Sequence, residues 1–480
     1  MERAREIFAS SGVLIETEGS KDVIKTDEKS IEINSDGARH LGAAVGTPDF
    51  KIMYVKKKVA SWVQTVKNLS LVAATQPHGA FAAFTQCLQA QWAFVSRAMP
   101  GISHLFQPLE DAIRLSLLPA LLHRSVNDFE RELLGFPSRL GGLGIFNPTD
   151  SCKSAHEGSL RVTEPLVALI TTQSTHFDPK ALWDEVSELR KGLDKENDAA
   201  HQAKLDDFMT RAPETLRASV KIAIEKGASS WVTALPSYDH GTVLHKGEFV
   251  DSLYIRYGWT PPDLPATCAC GAAFDVAHSL TCPLGGFRGI QHNETRDVLA
   301  QCFREAGHIS VEVEPKLQAL SGEEFEYKSA NKEEEARSDI KCTGFWRPLR
   351  QAFFDVKIVS PLARSYASLS SAQLFKMAEK SKIREYRERI RDVEHADFNP
   401  LVFTTAGGMA PQCHLVVKRL AEKISEKRGL HFSMVSGWLR CRLSFALLRT
   451  TLMCLRGTRR KKLYVDSNIE LAVSEARIAC

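Results

Sequence analysis

The stretch FFDVKIV at residues 353–359 is the most strand-like segment of this 480-residue chain. Successive side chains of a strand point to opposite faces, so the apolar residues at positions 354, 356 and 358 share one face. Asp355 and Lys357 share the other face. A carboxylate and an ammonium among apolar residues are costly unless they are paired or coordinate something. The pattern therefore predicts a buried strand with one polar, partnered face.

A second aspartate lies upstream of this strand. Asp339 lies sixteen positions before Asp355, and a glycine and an Arg-Pro pair between them favour a turn. If the two segments pair as a hairpin, the carboxylates come close together and can bind a hard cation such as Mg²⁺. A nearby lysine can then position or deprotonate a bound water. The spacing predicts a Mg²⁺-dependent phosphodiester-cleaving site, with a surface ion pair as the alternative for Asp355 and Lys357 alone.

Four metal-ligating residues follow the pattern C-x-C-x7-H-x3-C, at Cys268, Cys270, His278 and Cys282. The last two are four positions apart, so one helical turn brings them side by side, and Gly271 suits a tight turn after the second cysteine. Zn²⁺ takes four such ligands in a tetrahedron, and a closed set leaves no position for a catalytic water. We expect a structural zinc. The alternative is two small buried cysteines, a core histidine and a chance neighbour.

Charge is distributed unevenly along the chain. Lys and Arg total 62 against 58 Asp and Glu, but residues from Cys268 onward hold 33 basic and 25 acidic residues, which leaves 29 and 33 before it. The C-terminal half therefore carries +8 and is the half expected to meet a polyanion. The eleven cysteines are scattered, and neither a signal peptide nor an uncharged run of membrane-spanning length is evident. We expect an intracellular protein with reduced thiols and no membrane partner.

The segment 429–463 carries eight Lys and Arg residues and no acidic ones, with aromatic residues among them. Cations neutralise phosphates and aromatic rings stack on bases, so we expect this segment to bind nucleic acid. An amphipathic helix with solvated arginines is the alternative. The basic run 459–462 also suits a nuclear import signal, which predicts a nuclear location. The expected nucleic-acid contacts here are Arg440, Arg442, Arg456, Arg459, Arg460, Lys461 and Lys462.

The order of these motifs resembles the C-terminal part of a non-LTR retrotransposon polyprotein that carries a restriction-like endonuclease. That family places a CCHC knuckle, an R-H-N-like segment and a PD-(D/E)xK nuclease core behind its reverse transcriptase. Here the knuckle is followed by Gln291-His292-Asn293-Glu294, then by the two aspartates and Lys357, then by a segment that resembles the family's K…Y helix, with Lys382 and Tyr386. The family's proline before the first aspartate is replaced by Ser338, and its R-H-N arginine by Gln291.

The resemblance implies a role for each matching residue. Asp339 and Asp355 would bind Mg²⁺ and Lys357 would position or activate the attacking water, with Lys380 and Lys382 as the alternative lysines for that role. Glu294 would add a carboxylate, while Lys382 and Tyr386 would steady the scissile phosphate. His292 would contact nucleic acid. The implied reaction is Mg²⁺-dependent nicking of target DNA for target-primed integration.

The first 150 residues resemble the end of a reverse transcriptase and its thumb, through Arg39-His40-Leu41-Gly42 and the glycine-rich run 141–145. No Tyr/Phe-x-Asp-Asp segment of a polymerase palm is present, so we do not expect this chain to polymerise DNA alone. We expect an α+β multidomain protein, mainly helical, with a helical thumb, a zinc knuckle and a mixed-sheet nuclease core. The expected segments are a thumb-like region at 1–150, a helical linker region at 151–262, the knuckle at 263–290 and the endonuclease with its basic segment at 291–480.

The expected partners and cofactors follow from the same features. Target DNA is the main partner, with element RNA and a separate reverse-transcriptase chain as further candidates. Zn²⁺ would be structural and Mg²⁺ catalytic. The alternative function is a non-catalytic, zinc-containing remnant of a retroelement that only binds nucleic acid. Salt-sensitive binding is expected of both, so only cleavage separates them.

Overall fold

The computed structural model describes residues 14–18, 21–25, 30–33, 36–173, 177–308, 310–366 and 368–459. It is mainly helical with small sheets, as the α+β prediction requires. The chain divides into two compact units, Met1–Gly135 with Gly144–Lys204, and Phe136–Leu143 with Leu205–Cys480. The four sequence segments stay a prediction.

Unit one begins with short strands. Three of them form an antiparallel sheet and two form a hairpin. Their bounds are β1 (Leu14–Glu18), β2 (Lys21–Lys25), β3 (Ser30–Ile33), β4 (Gly37–His40) and β5 (Ala43–Gly46).

Helices form the rest of unit one. They are α1 (Pro48–Ala73), α2 (Pro77–Gln86), α3 (Ala93–Ala98), α4 (Gln107–Ala112), α5 (Leu118–Leu122), α6 (Asp128–Gly135), α7 (Pro148–Thr171) and most of α8 (Pro179–Arg211). Thr47 caps α1 by accepting the Phe50 N–H at 3.3 Å. A buried ion pair joins two of the helices, because Arg131 donates two hydrogen bonds to Glu110 at 2.6 and 2.7 Å.

Unit two contains a four-stranded mixed sheet. Its strands are β6 (Glu312–Val313), β7 (Ile340–Thr343), β8 (Gln351–Val359) and β9 (Asp397–Thr404). The order is β6-β7-β8-β9, with β7 antiparallel to both β6 and β8, and β9 parallel to β8. The predicted hairpin is present, since Ile340 pairs with Phe354. Pro400 lies within β9, where an edge strand tolerates the missing N–H.

Helices make up most of the rest of unit two, and the last four of them cover the two faces of this sheet. They are α9 (Glu214–Ala223), α10 (Lys246–Tyr257), α11 (Val276–Ser279), α12 (Phe287–Glu305), α13 (Ser371–Asp392), α14 (Pro411–Arg428) and α15 (Phe432–Arg456). Phe354 and Val356 of β8 pack with α12, α14 and α15 in one core. Phe353 and Val359, on the opposite face, pack with α13. Because side chains alternate, Asp355 and Lys357 lie on the α13 face.

No helix among the described ranges has the length and apolarity needed to cross a lipid bilayer. The longest apolar helix near the end of the chain, α15, is instead a core element. Its Leu439, Leu443 and Leu447 lie in the same core as the central strand. This burial explains the apolar character of the segment.

Candidate functional site

The four predicted zinc ligands converge in unit two. Their ligand atoms all lie within 4.8 Å of one another. Sγ of Cys268 is 3.7 Å from Sγ of Cys282, and Sγ of Cys270 is 3.4 Å from Nε2 of His278. A tetrahedral Zn²⁺ with bonds of about 2.3 Å to sulfur places two sulfurs about 3.8 Å apart. The cluster can therefore hold a metal ion such as zinc.

Local turns build this cluster. Gly271, with φ of +90°, follows Cys270 and donates to the Cys268 carbonyl at 2.8 Å. Asp275 caps α11 by accepting the His278 N–H at 2.6 Å. The Cys282 N–H then donates to the His278 carbonyl at 2.8 Å, which is the helical turn that the i, i+4 spacing predicts. The backbone thus presents all four ligands without contributions from distant elements.

The two aspartates lie side by side at one end of the β7–β8 ladder. Ile340 pairs with Phe354, so Asp339 and Asp355 are the next residues across the two strands. Side chains of directly opposed residues point to the same face. Ser338 keeps this register, because its buried hydroxyl donates to the Phe354 carbonyl at 3.0 Å. The serine thus takes a structural position where the resembling family has proline.

Asp339 is held by its neighbours. Its Oδ2 accepts the Val356 N–H at 2.6 Å and lies 3.1 Å from Nε2 of His292. The same Nε2 lies 3.1 Å from the Val356 carbonyl. Both partners of that nitrogen are acceptors, so Nε2 carries a proton. The hydrogen bond to Asp339 raises the pKa of His292 despite its partial burial.

Asp355 is almost fully buried. Its Oδ2 forms an ion pair with Nζ of Lys382 at 3.1 Å. Burial raises the pKa of Asp355; the Lys382 ammonium opposes that shift, and Asp339 adds to it. For Lys382, burial alone would lower the pKa, but Asp355 and Glu385 outweigh it and raise the pKa. Lys382 is therefore a charged lysine between two carboxylates.

Lys357 has a different environment. Its Nζ donates to the Ser381 hydroxyl at 3.3 Å. Burial lowers the pKa of Lys357, and the neighbouring Lys382 lowers it further. Both lysines line a cleft of about 540 Å³ together with His292. Of the two, Lys357 is the one whose surroundings favour loss of a proton.

Tyr386 is buried and packs against Lys382. It is 7% exposed, and its ring packs against Phe398 with 5.7 Å between ring centroids. Nζ of Lys382 lies 5.2 Å from the centre of the tyrosine ring. Tyr386 therefore positions Lys382 rather than facing the cleft itself.

The carboxylate pair suits a divalent cation. Asp355 is a buried carboxylate paired with the Lys382 ammonium at 3.1 Å, and a buried charge is costly unless it is paired or binds a cation. Asp339 and Asp355 together offer hard oxygen ligands, the type that Mg²⁺ requires. A cation between them would offset the two causes that raise the pKa of Asp355, which are burial first and the Asp339 charge second.

Two other residues of the QHNE segment have different surroundings: Gln291 borders the cleft but bonds to another helix, and Glu294 is exposed. Gln291 is buried and donates to the Thr451 hydroxyl at 3.1 Å, so it joins α12 to α15. Glu294 is exposed and lies two residues from His292 on α12. Residues two apart on a helix do not share a face, so the structure does not bring Glu294 to the aspartates. His292, predicted as a nucleic-acid contact, lies against Asp339 instead.

The predicted C-terminal cations are largely occupied within the chain. Arg456 binds Asp251 through two hydrogen bonds of 2.6 and 2.7 Å, and Arg442 binds Glu305 at 2.9 Å. Arg459 donates to the Ser279 carbonyl at 2.9 Å and lies over Phe274 beside the Cys3His cluster. Arg440 donates to Ser436 within the same helix at 2.7 Å. Arg460, Lys461 and Lys462 lie outside the described residues.

Two residues of the site escape sequence reasoning. Glu385 contacts Lys382 with 3.1 Å between Nζ and Oε2, and Ser381 accepts from Lys357. Ser381 directly precedes Lys382 on α13, and Glu385 lies one turn after it. The i, i+3 spacing of Lys382 and Glu385 is the signal that could have identified the pair.

No known protein-family model matches this chain, and no curated protein matches it. The described residues define two sites: a cluster of carboxylates and lysines, and a Cys3His cluster. One face of a mixed sheet carries two carboxylates and one lysine beside a helix with a second lysine, and the same unit holds a Cys3His cluster. The function has to be inferred from the chemistry of these two clusters.

Proposed function

We propose that this protein is a Mg²⁺-dependent DNA endonuclease that nicks target DNA, as expected for part of a non-LTR retrotransposon polyprotein. The observation that carries the proposal is the buried carboxylate of Asp355 beside the second carboxylate of Asp339. An ordinary surface ion pair would be solvated and would not need a buried carboxylate. This arrangement favours a cation site over the ion-pair alternative.

Asp339 and Asp355 would hold the Mg²⁺ ion. When bound, the ion supplies positive charge to the scissile phosphate and lowers the pKa of a coordinated water. Lys382, kept protonated by Asp355 and Glu385, would bind the non-bridging oxygens of that phosphate. Tyr386 would hold Lys382 in place through the contact below its ammonium.

Lys357 is the candidate for the residue that acts on the attacking water. Its Nζ lines the cleft and is fixed by Ser381. It would orient the water, or accept its proton at Nζ as the water oxygen bonds to phosphorus and the opposite P–O bond breaks. His292 would hold Asp339 in the orientation required, through the proton on Nε2.

The zinc knuckle would have a structural role. Its four protein ligands leave no open position for a water. The knuckle immediately precedes α12, the helix that carries His292, and Arg459 connects its backbone to the end of α15. Zinc would thus brace the part of unit two that supports the nuclease site.

The test is nicking of supercoiled plasmid by the full chain, in Mg²⁺ and in EDTA. We expect nicking in Mg²⁺ only, and a loss of about a hundredfold or more in Lys357→Ala if that lysine acts on the water. Asp297→Ala is the matched control, because Asp297 is an exposed carboxylate on α12. Wild-type binding without cleavage would favour the binding remnant, and equal cleavage by the lysine variant would remove Lys357 from the mechanism.

A further inference from the structure

The outer face of α13 carries a row of cations. Lys376, Lys380, Arg384 and Arg387 are all exposed and are separated by four, four and three residues. That spacing keeps them on one stripe of the helix. We call these four residues the α13 stripe.

Three carboxylates of the same helix lie next to the α13 stripe, but each has another partner: Glu379 accepts the Gln412 N–H, Glu385 pairs with Lys382 and Glu388 accepts the Tyr327 N–H. Lys382 pairs with Asp355 and Glu385, and Arg391 pairs with Asp392 at 2.6 Å. Within the described part of the chain, no ion pair involves a stripe residue; the recorded side-chain contact is Arg384 over the ring of Tyr327, 5.7 Å from its centre. Four like charges on one side of a helix repel each other, so an external polyanion would relieve them.

The α13 stripe adjoins the candidate cleft. Lys376, Lys380 and Arg384 line a groove of about 590 Å³ together with Ser381 and Glu385. Glu385 also lines the cleft that contains Lys357 and Lys382. Ser381 accepts the hydrogen bond from Lys357. A strand that enters the cleft can therefore continue directly along the groove.

We propose that the α13 stripe binds the phosphate backbone of the duplex DNA arm next to the cleaved phosphate. This inference rests on the proposed function, because the nuclease site supplies the reason for DNA to lie there. The cations that bind the DNA phosphates would then lie on α13, whereas the sequence pattern predicts them in the segment 429–463. The described arginines of that segment mostly bind the chain itself.

The dimensions fit a duplex arm. Eleven residues separate Lys376 from Arg387, a rise of about 17 Å along the helix axis. One strand of B-DNA carries a phosphate about every 3.4 Å of its axis, so the α13 stripe spans roughly five phosphates. The side chains of lysine and arginine are long enough to follow the curvature of such a backbone. The contacts would be independent of sequence, since they involve phosphates and no base edges.

The test compares two triple variants of the full chain. The stripe variant is Lys376→Gln/Lys380→Gln/Arg384→Gln. The control is Lys180→Gln/Lys195→Gln/Lys204→Gln, which removes the same charge from exposed lysines on α8, where carboxylates are interspersed. Binding of a 30-base-pair duplex is measured in Ca²⁺ from 50 to 300 mM salt, with thermal unfolding as the check on folding.

We expect the stripe variant to bind at least tenfold more weakly at low salt. Each lost phosphate contact reduces the slope of log affinity against log salt by about 0.9, so the slope should fall by about 2.7. The control should keep the wild-type slope. A folded stripe variant with the wild-type slope would overturn the proposal, as would an equal loss in the control.

Cleavage in Mg²⁺, measured in parallel, separates this inference from the proposed function. If the wild type cleaves and the stripe variant cleaves with unchanged salt dependence, the surface assignment fails and the nuclease stands. If the wild type does not cleave but the slope changes only in the stripe variant, the nuclease fails and the surface stands. A slope change seen with an RNA duplex and absent with DNA would overturn the choice of DNA.

Discussion

Arg389 provides a direct test of how Asp339 is delivered to the site. It is fully buried on α13 and donates to the carbonyl oxygens of Asn331, Glu333 and Gln318 at 3.1, 2.8 and 2.9 Å. Those carbonyls belong to the segment 318–333, which is rich in glutamate and leads into Asp339. Replacing Arg389 by alanine removes three charge-assisted hydrogen bonds, leaves the carbonyls without that donor and opens a cavity. We expect a loss of about 3–5 kcal/mol of unfolding free energy.

The assay is urea unfolding combined with amide hydrogen exchange. In Arg389→Ala, exchange should accelerate over residues 317–339, because the backbone pairing that holds this segment loses its anchor. Arg391→Ala is the control, since Arg391 is largely exposed and pairs with its neighbour Asp392; it should change stability by less than about 0.5 kcal/mol. A loss below about 1 kcal/mol in Arg389→Ala, or unchanged exchange in the segment, would refute this reasoning.

Three further predictions follow from the buried groups. Glu110→Ala should destabilise unit one by about 3–5 kcal/mol because it leaves a buried arginine unpaired, whereas the exposed Asp111→Ala should be nearly neutral; urea unfolding decides between these outcomes. Metal analysis should find one zinc per chain in the wild type and in Cys87→Ser but none in Cys282→Ser, and equal zinc in all three would exclude the knuckle. Burial lowers the pKa of His78 from 6.5 to about 4, so the unfolded chain binds the extra proton and stability should fall by up to about 3 kcal/mol between pH 6.5 and 4. His78→Gln should flatten that part of the pH profile of the unfolding free energy, and an unchanged profile would show that His78 is not its cause.

Local patterns predict much of unit two. Alternation in the stretch 353–359 identifies the face that carries Asp355 and Lys357, and the turn residues before it predict the antiparallel hairpin with Asp339. The i, i+4 spacing of His278 and Cys282 predicts the turn that the knuckle adopts. Each of these features depends on residues close in sequence, and alternation or helical periodicity reports such relations directly.

Long-range partners cannot be obtained from such patterns. Arg456 lies in a basic segment, a pattern that predicts a nucleic-acid contact. Its partner in the structure is Asp251, which lies 205 positions away in sequence. Periodicity indicates which face of a strand is polar but not which helix covers it, so the ion pair between Asp355 and Lys382 depends on the packing of α13. The two-residue strand β6 is too short to give an alternating signal at all.

The central claim is that Asp355 binds the metal ion on which DNA cleavage depends. The most direct measurement is the single-turnover rate of duplex cleavage by the wild type and by Asp355→Asn, purified in parallel and assayed with saturating protein across a Mg²⁺ titration. Asparagine keeps the shape of the side chain but removes its charge, so the rate should fall at least about a thousandfold, or about 4 kcal/mol in the barrier. A rate within about threefold of the wild type at every Mg²⁺ concentration would contradict the account.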